Sequence, residues 1–151
     1  MLERAILCAV RWHAGQVDWS GMPYILHPLR VMLRMTDETA MAAAVLHDVA
    51  EDCGVTLDGL RAEGFPEEVV GAVEAMTRRA DEDYEDYVRR AAAHPIARRI
   101  KVADLQDNLE RSLRHSATPE NEARVRKYRR ALEIVGGEEE LTCDMSNTEP
   151  G

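Results

Sequence analysis

Three observations predict an all-α fold, a compact helical bundle. Apolar residues recur at helical spacing along most of the chain, the links between those stretches are short and marked by Gly or Pro, and no run of alternating β-branched residues makes a convincing strand. At 151 residues and 45% hydrophobic content, the chain holds one domain with a real core and has no room for a second catalytic one.

A first helix is expected from about Leu2 to Ala14, stopped by Gly15. Residues 16–24 hold Gly21 and Pro23 and read as a loop. A second helix covers about Ile25 to Met35, with Pro28 tolerable only in its first turn. Thr36 or Asp37 caps a third helix that runs to about Asp52. Thr56 caps a short helix through Ala62 closed by Gly64, and Pro66 opens another through about Met76. After a polar stretch around Arg78 to Asp83, helices are expected near Tyr84 to Ala93, then from Pro95 through Asp104, then from Pro119 to Gly136-Gly137. Residues 1–137 form the domain. Residues 138–151 carry acids, Ser, Asn, Thr and Pro with almost no apolar residues and are expected to be a disordered tail.

The net charge of −9 argues against a nucleic-acid binder, because backbone affinity comes from Lys and Arg neutralising phosphates. An anionic substrate then needs a metal or a local basic cluster to overcome the overall field. Cys8, Cys53 and Cys143 are odd in number and widely spaced, which suggests neither a disulfide framework nor a zinc knuckle and points to a reducing cytoplasm. Neither a signal peptide nor a membrane span is expected from the charged start MLERAILCAVRW.

Within this helical sequence, His47-Asp48 precedes Glu51-Asp52 by one turn, with His27 upstream and Asp104 downstream. At ~100° per residue, an uninterrupted helix would set His47, Asp48, Glu51 and Asp52 in an arc of roughly 140°, opposite Ala42, Val45, Leu46 and Val49. Ala40 and Ala44 above the arc are too small to block a neighbouring helix or a ligand. The helix around Asp104 carries one polar stripe of Lys101, Asp104 and Asn108 and a second of Arg99, Gln106 and Glu110, separated by apolar flanks; one stripe meets water and the other an internal pocket. Two His and two Asp suit a borderline or hard divalent cation and leave positions open for water and substrate, whereas a closed structural zinc site favours thiolates. The bland alternatives are a solvated acidic face and, for His27, a histidine that caps or packs before Pro28. His13 is either a partner behind the ligands or a packing histidine. His94 and His115 are expected at exposed helix ends, Tyr84 and Tyr87 on a packed helix edge, Cys53 as a small packing residue, and the RVRKYRR run of 124–130 on a solvated face.

The stretches HAGQ (13–16), SGMPYILHP (20–28), AAAVLHDVAED (42–52) and KVADLQDNL (101–109) resemble the HD-domain phosphohydrolases, in particular the RelA/SpoT-type hydrolase domain and its small stand-alone relatives. The resemblance implies an all-α bundle in which His27, His47, Asp48 and Asp104 bind one divalent metal, typically Mn2+. It further implies that Glu51 and Asp52 are the catalytic acidic pair that handles water and the leaving oxygen, and that Asn108 lines the substrate pocket. Lys101 either stabilises phosphate charge or pairs with a carboxylate. Members of that type remove pyrophosphate from the 3′ position of guanosine tetra- or pentaphosphate.

Four positions depart from that pattern. Asp18 and Trp19 stand where a basic pair is usual, Leu105 replaces Arg or Lys, and Asp107 replaces His or Tyr, so positive charge is missing where an anionic nucleotide would need it. Trp19 is left as a possible base-stacking residue, and Arg30, Arg34, Arg78 or Arg79 as replacement charge. The expectation is therefore a metal-dependent HD phosphohydrolase acting on a nucleotide or small phosphorylated metabolite, with (p)ppGpp 3′-pyrophosphate as the specific version. The alternative is a catalytically silent nucleotide-binding or regulatory module, against which the intact Glu51-Asp52 pair argues.

Overall fold

The computed structural model describes residues 1–136, so the expected tail at 138–151 lies outside the described residues. Among the described residues nine helices follow in order: α1 (Leu2–Trp12), α2 (Leu26–Met32), α3 (Glu38–Leu46), α4 (Val49–Asp52), α5 (Leu57–Ala62), α6 (Glu67–Met76), α7 (Tyr84–Ala93), α8 (Pro95–Leu113) and α9 (Pro119–Gly136). Among the described residues no strand forms, and none of these helices is long and apolar enough to cross a membrane.

Local chemistry sets most boundaries. The Asp37 carboxylate accepts from the Ala40 amide and the Thr56 hydroxyl from the Gly59 amide, each an N-cap interaction worth about 1 kcal/mol. Pro95 sits at the start of α8, where its missing N–H costs nothing, and the His94 imidazole caps the same helix from a half-buried position rather than an exposed one.

The third helix departs from expectation. It ends at Leu46, and α4 restarts at Val49 after a break at His47-Asp48. Nor is α3 two-faced: Ala40, Ala42, Ala43, Ala44, Val45 and Leu46 are all fully buried. It is apolar all round because α1, α2 and α6 pack against it, and its alanines let those backbones approach closely. α8 is the second central element, packed against α9, α7, α2 and α6.

The loop between α1 and α2 folds back on itself. Asp18 N–H donates to the Met22 carbonyl and Tyr24 N–H to the Gln16 carbonyl, while the Asp18 carboxylate accepts from both the amide and hydroxyl of Ser20 and from the Met22 amide. Gly21 supplies the left-handed φ of +84° that closes this turn. Those bonds hold the Asp18 carboxyl below its ordinary range against partial burial, and Arg111 lies 3.7 Å away. Asp18 is thus a loop-forming residue that sets where Tyr24 and α2 begin.

Candidate metal centre and active site

Ligand candidates arrive from three directions. α2 brings His27, the α3–α4 break brings His47 and Asp48, and α8 brings Asp104. Donor atoms of His27, His47 and Asp104 all lie within 4.8 Å of one another, and all three residues are buried. Asp48 joins them: its Oδ2 is 3.0 Å from His47 Nε2 and 3.7 Å from His27 Nε2. Asp104 Oδ1 is 3.1 Å from His27 Nε2 and 3.7 Å from His47 Nε2.

These residues fit a divalent cation. His47 Nε2 is buried without a hydrogen-bond partner, although Asp48 is close, so a polar atom points into the cluster unsatisfied. The electrostatics agree. Burial opposes charge on His47, yet the Asp48 and Asp104 carboxylates outweigh it and push its pKa well up. Burial likewise opposes ionisation of Asp104, and Lys101 and the histidines outweigh it and hold its carboxyl far down. A field that favours an imidazolium between two carboxylates favours a dication in the same place.

Around this cluster each side chain is held by a partner. The Tyr24 hydroxyl donates to Asp48 Oδ2 at 2.5 Å. His13, itself buried and hydrogen-bonded to Gln16, packs against the Tyr24 ring at 5.0 Å between centroids, as a packing histidine does. Lys101 Nζ donates to Asp104 Oδ2 at 2.9 Å, and Asn108 Nδ2 to Asp104 Oδ1 at 2.9 Å. The inward stripe of α8 is therefore Lys101, Asp104 and Asn108, while Arg99, Gln106 and Glu110 are exposed.

Three of the four ligand candidates, His27, Asp48 and Asp104, form the floor of a cavity of about 230 Å³ whose walls include Glu51, Arg78, Tyr84, Leu105, Lys127 and Tyr128, whereas the buried His47 does not line it. Glu51 accepts a short hydrogen bond from the Arg78 backbone amide, which ties α4 to the segment before α7. Partial desolvation and then the Asp48 charge raise the Glu51 carboxyl above its ordinary value, a property suited to a proton-handling group. Asp52 is raised for the same two reasons but, unlike Glu51 in the same helix, does not line the cavity; with the break at His47-Asp48, the four residues do not share one continuous helical arc.

Two expectations change. Trp19 is not in the cavity wall: its ring sits edge-on to His115 at 4.2 Å between centroids, with the Arg124 guanidinium 5.1 Å from its centroid. Conversely, Tyr84 and Tyr87 are wall residues rather than only a helix edge, and Tyr128 and the still exposed Lys127 of the RVRKYRR run line the cavity because α9 packs along α8 and α7. Lys127 Nζ lies 4.1 Å from the Tyr84 ring centroid, and partial burial followed by repulsion from Lys101 and Arg78 lowers its pKa. Arg78 Nε donates to the Glu82 backbone carbonyl, and its guanidinium lies over Tyr84. Cys53, 3.4 Å from His13 Nδ1, has its thiol pushed up by burial and by Asp52 and Asp48, as suits a packing cysteine.

An all-α bundle with a His-Asp step at a helix break, a second His from one helix and a second Asp from another defines a class, and the HD domain family matches residues 5–134. The chain belongs to the HD domain family. Among curated proteins it is similar to a probable GTP pyrophosphokinase of Mycobacterium leprae, 36% identical over 148 residues that cover 89% of this chain and 18% of that protein. It is also similar to the guanosine-3′,5′-bis(diphosphate) 3′-pyrophosphohydrolase of Aquifex aeolicus, 32% identical over 120 residues that cover 72% of this chain and 17% of that one. The chain thus spans less than a fifth of the length of these relatives. Among solved structures, a metazoan orthologue of SpoT, described as hydrolysing ppGpp and acting in starvation responses, superposes with a TM-score of 0.75 at 24% identity, covering 90% of this chain and 85% of that one; this shows a shared fold.

Proposed function

We propose that the chain is a metal-dependent phosphohydrolase of a nucleotide or other small phosphorylated metabolite, acting in the cytoplasm. The observation that carries this reading is the buried, unpartnered His47 Nε2 beside three further donors, His27, Asp48 and Asp104, which line a cavity that Glu51 also lines. His27, His47, Asp48 and Asp104 would hold the divalent cation, a donor set suited to a borderline or hard metal, with Mn2+ the ion that the family resemblance implies. When bound, it supplies Lewis acidity to a phosphoryl oxygen and acidifies water.

The chain's own groups do the rest. Glu51, with its raised pKa, accepts a proton from the attacking water and returns one toward the leaving oxygen. Asp52 has a similarly raised pKa but lies outside the cavity wall, so its contribution is to the field around Asp48 and Tyr24. Lys101 keeps Asp104 oriented, and its buried ammonium stays charged. Arg78 and Lys127 supply cationic contacts for substrate phosphate, and Tyr84 and Tyr128 supply faces for a base.

Guanosine 3′,5′-bis(diphosphate) is the specific substrate we propose, since the named activity of the Aquifex relative and the basic rim at Arg78 and Lys127 both support it. The rim replaces charge absent at Asp18, Trp19 and Leu105. A phosphate- and pyrophosphate-release panel that includes guanosine tetraphosphate, with Glu51→Ala as control, tests the proposal. Release that Glu51→Ala abolishes supports it. A nucleotide that raises the melting temperature but is never consumed would instead identify a silent binding module.

A further inference from the structure

Asp107 occupies a position to which neither the ligand set nor the cavity assigns a task. It is 2% exposed, and its Oδ2 lies 2.7 Å from His27 Nδ1. The imidazole therefore has one nitrogen on Asp107 and the other, Nε2, facing Asp104 and Asp48. Arg30 fixes the carboxylate from the far side, with Nε on Oδ1 at 2.7 Å and Nη2 on Oδ2 at 3.1 Å, and Arg111 adds a longer contact at 3.9 Å. Asp107 also lines a second cavity, of about 240 Å³, that excludes His27, while His27 lines the first and excludes Asp107. The pair thus bridges the wall between them.

Building on the metal site proposed above, we infer that Asp107 is a positioning residue for the metal: it accepts the Nδ1–H of His27, fixes the imidazole in the tautomer whose Nε2 carries the lone pair, and holds the ring in the ligating orientation. The chemistry requires such a partner, because a neutral imidazole can present Nε2 to a cation only when its proton resides on Nδ1. Arg30 completes the arrangement by aiming the carboxylate, since a bidentate guanidinium locks both oxygens. α8 consequently supplies both a ligand, Asp104, and, one turn later, the residue that orients a ligand from another helix.

The test uses Mn2+ alone as the probe, with equilibrium dialysis of the wild-type chain, Asp107→Ala and the near-isosteric Asp107→Asn, which keeps an oxygen acceptor. Metal-free melting curves check that each variant is folded. Mn2+ affinity should fall about 10–100-fold in Asp107→Ala, the range for removing an outer partner of a ligating histidine, with a smaller loss in Asp107→Asn. In 15N-histidine spectra of Zn2+-loaded protein, a slowly exchanging His27 Nδ1–H should be present in wild type and lost in Asp107→Ala. Wild type that binds Mn2+ while both folded variants bind equally well overturns the positioning role and leaves the metal site intact. Wild type that binds no Mn2+ overturns both.

Discussion

His47 Nδ1 lies 2.6 Å from the carbonyl oxygen of Ala44, three residues earlier, and both groups are buried. With Nδ1–H donated to that carbonyl, the imidazole turns Nε2 into the ligand cluster. The end of α3 at Leu46 and the aim of Nε2 are therefore one event: the side chain takes a carbonyl that a continuing helix would have used for the amide of Asp48. Asp48 then begins α4 with its carboxylate beside both histidines.

That arrangement makes Asp48 the residue least replaceable in the centre. Asp48→Ala should weaken divalent-metal binding by more than about 100-fold, beyond the range for outer partners, and abolish phosphate release. Isothermal titration with Mn2+ checks the first effect and a colorimetric assay the second, with far-ultraviolet dichroism unchanged.

Tyr24→Phe removes only the hydroxyl that donates to Asp48. The loss of a hydrogen bond to a charged acceptor should cost about 1–2 kcal/mol of stability in urea unfolding and lower metal affinity in parallel. An unchanged unfolding midpoint together with unchanged affinity would show that Asp48 is held without it.

Lys127→Met and Arg78→Met should each raise KM for an anionic substrate about tenfold, equivalent to ~1.4 kcal/mol of charge-assisted binding, without altering metal stoichiometry. Steady-state kinetics with matched metal content separates this from damage to the ligand cluster. A fall in kcat at constant KM would move both residues from substrate binding to the chemical step.

The segment that carries Arg78 depends on Arg90. Its guanidinium bonds both oxygens of Glu82 and the Thr77 carbonyl, and the Arg90 hydrogen bonds pull the Glu82 pKa from its ordinary 4.5 to about 2. A depressed folded-state pKa stabilises fully above the unfolded value and is lost as pH falls toward the folded one. The stability difference between wild type and Glu82→Gln should therefore shrink between about pH 5 and pH 2, as read from urea midpoints. A difference that grows on acidification would mean that Glu82 is not paired in solution.

Local signals made much of this readable in the sequence. The caps at Asp37 and Thr56, Pro95 at the head of α8 and the α7 span Tyr84–Ala93 were expected from residue chemistry, and the polar stripe of Lys101, Asp104 and Asn108 from periodicity. The break after Leu46 was not, because the sequence is equally helical on both sides and the break rests on a contact between one side chain and a carbonyl. Tyr24 lay inside a recognised motif, but its hydroxyl meets Asp48 only through the fold. Lys127 and Tyr128 sit in a run that reads as solvated, and only the packing of α9 on α8 brings them to the cavity. Asp107 looked like a lost contact until His27 and Arg30 were placed beside it.

On the function proposed above, four side chains, His27, His47, Asp48 and Asp104, hold one cation that the reaction needs. The most direct measurement strips the protein with a chelator and titrates Mn2+ back while following phosphate or pyrophosphate release from guanosine tetraphosphate and a nucleotide panel. Stripped protein should release nothing, and recovery should saturate at one metal per chain. Full release from the stripped protein, or none at any metal level across the panel, would contradict that function.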